Sequence, residues 1–244
     1  MQPTEFRTGV IKPIECAKEA WELIKPNYWL LFAILLVGAL IGAFTAYILI
    51  GAMVCGIMYC YLRQIDGYPV NFEDLWRHGI GFFFPSLPVT LVIFVPTLIW
   101  IAVLFSTLYL PIILAAVMGD RLNGDEMMGF LGGAFLIDSV VAIFMICIHT
   151  LLTFSFPLIV DRGLTGFTPA VVSAKAVWGN LKGICGLIGV NFVLVLAGEL
   201  ACGIGLYLVM PLIMATSLVA YRKIFPAASS PNLNPPPPKA YSGL

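Results

Sequence analysis

The sequence predicts an all-α polytopic membrane protein with about six transmembrane helices, and three observations lead to this fold class. Only 11% of the 244 residues are charged, whereas a soluble domain carries about 25%. The apolar runs are continuous and do not alternate as the strands of a membrane barrel do, so their backbone must be helical in lipid. Finally, an amphipathic stretch followed by a long apolar stretch occurs twice.

The repeated pattern occupies residues 13–65 and 169–224, which we interpret as two copies of one unit. Each copy is an amphipathic helix followed by a transmembrane hairpin, and each ends on a basic residue, Arg63 in the first and Arg222 in the second. Four identities align at one constant offset: Ala17 with Ala174, Lys18 with Lys175, Trp21 with Trp178, and Lys25 with Lys182.

The first copy begins with a predicted interfacial helix over residues 13–25, preceded by a loose lead at residues 1–9. Its apolar residues fall at helical spacing on one face, and the tryptophan among them favours a position in the membrane interface. These residues are Ile14, Ala17, Trp21 and Ile24. Residues 28–62 then contain no charge, which predicts two short spans because one span needs about 20 residues.

The middle of the chain predicts a second interfacial helix and two further spans. Asn71, followed three residues later by Asp74, is typical of a helix start. Residues 80–118 carry no charge but four prolines. The distribution of charged loops favours one crossing here, with a proline-kinked or re-entrant portion, and residues 127–160 return through the membrane.

The expected topology has six spans and both termini in the cytoplasm, because the basic residues of the two amphipathic helices favour the inner side. We expect residues 1–225 to form a single transmembrane domain. Residues 226–244 form a proline-rich cytoplasmic tail, which is either disordered or held by a partner. The candidate partner contacts are Trp21, Trp178, Pro235, Pro236, Pro237 and Pro238.

Three ionisable residues in or beside apolar segments are the candidate intramembrane polar site: Asp138, His149 and Glu199. Asp138 and His149 are eleven residues apart, which places them on one helix face about 16 Å apart along the axis. A carboxylate in hydrocarbon must face protein or water. The pair is therefore either structural or part of a proton path, and Glu199 is either a hydrated turn residue or a ligand contact.

The remaining composition points away from catalysis and cofactors. The net charge of zero gives no reason to expect nucleic acid as a partner. No metal-binding, phosphate-binding or nucleophile motif occurs, so we expect no catalytic residue, no cofactor and no metal site. The six cysteines and the glycines read as packing residues, and small residues at helical spacing allow helices to approach closely. These small residues are Gly129, Gly132 and Gly133, and Gly198, Cys202 and Gly203.

Several segments resemble bacterial multi-pass membrane proteins similar to the membrane domain of glycerophosphodiester phosphodiesterases. The segments are AKEAWELIKPNYW, FEDLW, FPLIVDRGLTGFTPAVVSAKAVWGN and CGIGLYLVMPLIMATSLVAYRKIF. The catalytic part of those enzymes is a separate soluble barrel, so no catalytic residue transfers to this chain. The resemblance implies a module of the bacterial inner membrane that anchors, scaffolds or accompanies another protein.

These observations favour a non-enzymatic membrane protein that acts as an accessory or scaffold subunit of a larger membrane assembly, with lipid and other membrane subunits as partners. The first alternative is a transporter or permease for a small solute or lipid, lined by Asp138, His149 and Glu199. The second alternative is an intramembrane enzyme, which requires a cluster of polar groups.

Overall fold

In a computed structural model of the chain, every regular element of the described residues is helical. The described residues are 4–45, 47–109, 112–113, 116–117, 124–201 and 203–226. They contain ten α-helices, namely α1 (Pro13–Ile24), α2 (Tyr28–Phe44), α3 (Ile50–Ile65), α4 (Asp74–Gly79), α5 (Phe83–Leu104), α6 (Gly124–Leu151), α7 (Ser155–Arg162), α8 (Thr168–Gly179), α9 (Leu181–Leu200) and α10 (Ile204–Ile224). Three of the helices continue into a short turn. Helix α1 continues into a 3-10 turn at Lys25–Asn27, α4 into a 3-10 turn at Ile80–Phe82, and α5 into a π-helical turn at Phe105–Tyr109.

Five helical stretches of the described residues are long and apolar enough to cross a membrane. They are Pro13–Phe44, Asp74–Tyr109, Met128–Arg162, Leu181–Leu200 and Gly205–Ile224. The fold class, an all-α polytopic membrane protein, is thereby confirmed. The shorter apolar helix α3 has 16 residues, about 24 Å of helix against a hydrocarbon core of about 30 Å, and its crossing as the sixth span stays a prediction.

The chain divides into two compact units. One runs up to Thr90 and resumes at Thr153, and the other is Leu91–Leu152. The first unit contains both segments that share the sequence pattern, and they have the same order of elements. In each, a helix of 12 residues precedes two apolar helices, α1 before α2 and α3, and α8 before α9 and α10.

Helix α3 lies at the centre of the larger unit, where it contacts α2, α4, α7 and α10. Every residue from Cys55 to Leu62 is buried. Gly56 permits the close approach of α3 and α4, because a Cβ at this position would lie 2.6 Å from the carbonyl oxygen of Leu75 in α4. Asp74 begins α4 as expected, since its carboxylate accepts a hydrogen bond of 3.0 Å from the backbone N–H of Asn71.

The amphipathic helix α1 packs along α10 and divides its apolar residues between two directions. Its buried residues are Cys16, Ala20 and Ile24. Ile14 and Trp21 remain 65% and 45% exposed. The predicted single apolar face therefore splits, because Ile24 packs against protein while Ile14 and Trp21 point outward to where lipid would lie.

The prolines of the middle segment do not interrupt its helix. Pro85, Pro88 and Pro96 all lie within α5, which continues into the π-helical turn at Phe105–Tyr109. This agrees with one crossing. The re-entrant portion expected before residue 118 falls largely outside the described residues.

The predicted glycine packing occurs within the chain at Gly198 and stays a prediction for the glycines of α6. A Cβ at Gly198 would lie 2.9 Å from the Cα of Leu206, so this glycine lets α9 and α10 meet closely. Nothing lies within 4 Å of a Cβ built at Gly129, Gly132 or Gly133. That face of α6 therefore has no close neighbour among the described residues of its own unit. Cys202 lies outside the described residues.

Candidate functional site

Asp138 is buried in the apolar helix α6, as its sequence position predicted. It is 9% exposed, and its Oδ2 accepts a hydrogen bond of 2.9 Å from the hydroxyl of Thr107. The same hydroxyl lies 2.8 Å from the carbonyl oxygen of Val103, so two acceptors share one proton. Oδ1 of Asp138 has no hydrogen-bond partner in the described part of the chain. Only one of the two carboxyl oxygens of Asp138 is therefore hydrogen-bonded within the described residues.

Thr107 owes its position to the π-helical turn at Phe105–Tyr109. A π turn displaces the side chains that follow it, and such turns occur often at functional positions. Sequence reasoning missed Thr107, because a threonine within an apolar run carries no signal that it faces a carboxylate 31 residues later.

Of the other two residues of the predicted polar site, one shares the unit of Asp138 and the other does not. His149 lies on the same helix, but it is exposed and its Nδ1 is 2.8 Å from the carbonyl oxygen of Met145, one turn earlier. Glu199 is exposed near the end of α9, in the other compact unit. Asp138 with Thr107 is therefore the polar pair that the structure supports within its unit.

The two predicted tryptophan contacts are both on the surface. Trp21 packs edge-on against Tyr28, with ring centroids 5.8 Å apart, and Trp178 is 73% exposed. The four prolines of the tail, Pro235–Pro238, lie outside the described residues. The partner role of all these residues stays a prediction.

A buried ion network lies where α3, α7 and α10 end, and sequence reasoning missed it. The Arg222 guanidinium donates two hydrogen bonds to the Asp66 carboxylate, Nε to Oδ1 at 2.9 Å and Nη2 to Oδ2 at 2.6 Å. Its third nitrogen, Nη1, lies 2.8 Å from Oδ1 of Asp161 as an ion pair without hydrogen-bond geometry. One arginine thus joins two acids that come from different helices.

Asp161 is the most enclosed member of the network, with no exposed side-chain surface. Its Oδ2 accepts hydrogen bonds from the Tyr221 hydroxyl at 2.7 Å and from Nε of Arg162 at 3.2 Å. Nη2 of Arg162 donates in turn to the carbonyl oxygen of Pro226 at 2.9 Å. The network contains two acids and two arginines, so it is formally neutral. Neutrality matters here because each buried ion without a partner costs several kcal/mol in desolvation.

Asp66 follows α3 and stands outside the apolar segments. Its side chain is 12% exposed. Burial raises the pKa of the Asp66 carboxyl above its usual range, and the Arg222 guanidinium opposes that rise. Burial outweighs the attraction, so the surroundings of Asp66 disfavour its charged form.

The sequence gives only a weak signal of this network. Asp161-Arg162 and Arg222-Lys223 appear in it as charged ends of apolar segments. The hydrogen bonds join residues 60 and 156 positions apart, and helical periodicity reports contacts within one helix only.

The segment before α1 is fixed to the start of α9, in contrast to the expected loose lead. The Asn180 side chain accepts a hydrogen bond of 2.7 Å from the N–H of Gly9 and donates one of 2.9 Å to the carbonyl oxygen of Arg7. The N–H of Arg7 donates to the carbonyl oxygen of Ile224 at 3.0 Å. The buried Asn180 side chain therefore clamps the backbone at Arg7 and Gly9, and its position between two helices did not predict this role.

A cavity of about 370 Å³ lies beside this clamp. Its walls are Gly9, Ile11 and Pro13 on one side and the residues from Gly179 to Gly183, with Gly186, on the other. Lys182 is the only charged residue among them. The cavity is therefore an apolar recess with one cationic side chain at its wall.

No protein-family model, curated protein or solved structure matches this chain. The resemblance to the membrane domain of glycerophosphodiester phosphodiesterases therefore stays an expectation from the sequence motifs.

Proposed function

We propose that the chain is a non-enzymatic accessory or scaffold subunit of a larger membrane-protein assembly. It resides in the bacterial inner membrane with both termini in the cytoplasm, and an internal duplication produced its two segments, 13–65 and 169–224. The shared order of helices in the two segments supports the duplication, and the motif resemblance supports the bacterial membrane and the accompanying role.

One observation carries this proposal, the uncovered glycine face of α6. Gly129 and Gly133 are four residues apart, both are exposed, and no heavy atom lies within 4 Å of a Cβ built at either position. In lipid, helices associate through small residues that let their backbones approach. A glycine pair that no described helix of its own unit covers is the surface that a helix of another subunit would use.

The burial of the neighbouring spans agrees with an open surface. In the most apolar part of each stretch, the buried share within the described chain is 6% for Asp74–Tyr109 and 11% for Met128–Arg162. The corresponding share for Gly205–Ile224 is 44%. Lipid covers such helices adequately, but a glycine pair gives lipid little to contact. A partner helix therefore fits this face better than lipid alone.

The test is to close the face with bulky side chains. Replacing Gly129 and Gly133 together by leucine adds atoms to open space, so the chain should fold as before and insert normally. Other subunits that co-purify stoichiometrically from native membranes in mild detergent should be lost. Gly189→Leu is the matched control, because Gly189 is an exposed glycine of α9 with nothing within 4 Å.

Loss of the co-purifying subunits in the double variant alone would support the proposal. Unchanged recovery in the double variant would exclude this face as the contact. Recovery of further copies of this chain in place of other subunits would contradict the accessory role.

A transporter is the second candidate, favoured by one specific observation, the Asp138–Thr107 pair. A carboxyl bonded on one side only and placed beside a π-helical turn is typical of sites that bind and release protons or ions. We expect Asp138→Asn to abolish pH-gradient-driven proton flux in proteoliposomes that contain a pH-sensitive dye, while the amount of folded protein stays normal. Equal flux in both proteins, or none in the wild type, would remove this candidate.

A further inference from the structure

The stretch that follows α7 is basic and contains no acid before Glu199, near the end of α9. Between Arg162 and Glu199 the only charged residues are Lys175 and Lys182. Both are exposed, and the structure shows no ion pair for either within the described ranges.

Of the two corresponding lysines of the first segment, Lys18 is also exposed and shows no ion pair among the described residues, whereas Lys25 has one. Lys25 pairs with Glu22, and an acid from the same helix, Glu19, pairs with Lys223 at 2.8 Å. The charges of α1 are thus partly neutralised within the chain, whereas Lys175 and Lys182 stay available to an anion from outside it.

Lys175 lies on an apolar surface. The outward face of α8 carries Phe167, Val171 and Trp178, which are 63%, 51% and 73% exposed, and Lys175 lies four residues after Val171 on that face. A helix with aromatic and aliphatic side chains beside a lysine, directly before an apolar span, is typical of a position at the level of the lipid headgroups. An anion that reaches both an apolar helix face and a lysine is amphiphilic.

Lys182 adds a recess to this surface. It lines the cavity of about 370 Å³ described above. Gly183 and Gly186 bring the N-terminal segment close, since a Cβ at these glycines would lie 2.6 Å from Ile11 and 2.7 Å from Pro13. The Asn180 side chain is occupied by the clamp, so Lys182 is the charged group that this apolar recess offers to a ligand.

We propose that the junction of α8 and α9 binds the headgroup of an anionic membrane phospholipid, with Lys175 and Lys182 contacting the phosphate. The apolar recess takes the glycerol and the first carbons of the chains, and Trp178 lies beside them at the interface. A free inorganic anion would use the lysines but gain nothing from the apolar walls, whereas a phospholipid uses both.

The test measures phospholipid binding to the full-length chain in detergent by native mass spectrometry, with dioleoylphosphatidylglycerol and dioleoylphosphatidylcholine as probes. We expect the wild type to retain phosphatidylglycerol selectively. Replacing both Lys175 and Lys182 by glutamine should weaken its binding about 30-fold, about fivefold for each lysine, since each basic residue near an anionic lipid surface contributes a factor of this order. Arginine at both positions should preserve the selectivity.

The matched control replaces Lys18 and Lys25 by glutamine at the corresponding positions of the first segment, and its binding should change less than about twofold, because neither lysine lines the apolar recess. Both double variants alter exposed side chains, so the thermal midpoint without lipid reports whether each one folds. Equal losses in the two double variants, or no preference for phosphatidylglycerol, would overturn the proposal. Displacement of the lipid by millimolar inorganic phosphate would also overturn it and indicate a site for soluble anions.

Discussion

Removing the Arg222 guanidinium should destabilise the protein more than any substitution of a surface charge. In Arg222→Met the two hydrogen bonds to Asp66 and the ion pair with Asp161 disappear. Asp161 keeps the Tyr221 hydroxyl and Arg162. Asp66, with 12% of its side chain exposed, is left as an acid with no cation beside it.

The magnitude follows from burial. Breaking a buried pair by removing one partner costs about 3–5 kcal/mol, because an uncompensated charge remains. Replacing Asp66 by asparagine in the same chain removes that charge, so the double variant should regain at least about half of the loss. An exposed pair is worth about 0–1 kcal/mol. Lys12→Met, which removes the exposed Lys12–Glu15 pair of 2.9 Å, is therefore the matched control.

The free energy of unfolding can be followed by the loss of far-ultraviolet circular dichroism as sodium dodecyl sulfate is added to the protein in dodecyl maltoside. The expected order of stability is wild type, then Lys12→Met close to it, then the double variant, and last Arg222→Met. Equal stability of Arg222→Met and Lys12→Met would refute the reasoning, because the ion network would then carry no structural energy.

Three other predictions follow from particular contacts. Gly56→Ala should lower the free energy of unfolding by about 1–3 kcal/mol, since the new Cβ would lie 2.6 Å from the Leu75 carbonyl oxygen. In the control Gly132→Ala the new Cβ meets nothing within 4 Å, so the free energy of unfolding should not fall. Equal effects of the two substitutions would contradict the contact between α3 and α4. Because burial raises the pKa of Asp66, its contribution to stability is complete below its ordinary pKa of about 3.9 and is lost as pH rises through the folded-state pKa. The thermal midpoint of the wild type should therefore fall relative to that of Asp66→Asn from about pH 4 to pH 7, and a relative rise would reverse the sign. Deleting residues 231–244 should weaken co-purification of partner subunits without changing the thermal midpoint, and full recovery of partners would remove the tail as a contact.

The sequence predicted the helices well, because the signals for helices are local. The uncharged run of residues 28–62 was predicted to hold two short apolar segments, and it contains α2 and most of α3, with a turn after Phe44. Asp74 begins α4 through a contact only three residues long. Such features depend on composition and spacing within one segment, which the sequence displays directly.

The groups that join distant segments could not be predicted in the same way. Asn180 holds the chain at Gly9, 171 residues earlier, and Arg222 meets Asp66 across 156 residues. A polar residue at the end of an apolar run is visible in the sequence, but the local pattern does not predict which distant residue it contacts. The glycines of α6 show a related limit of sequence reasoning, since their spacing indicates a close helix contact but not whether the second helix belongs to the same chain.

One measurement tests the proposed role most directly. The particle that contains this chain is extracted from its own membrane in native lipid, and its mass is determined by native mass spectrometry. An accessory subunit predicts a stoichiometric complex in which the 26.6 kDa chain accompanies at least one different protein, and the other masses would identify its partners. A particle that contains one or two copies of this chain and lipid, with no other protein, would contradict the accessory role and make the Asp138–Thr107 pair the first target for transport assays.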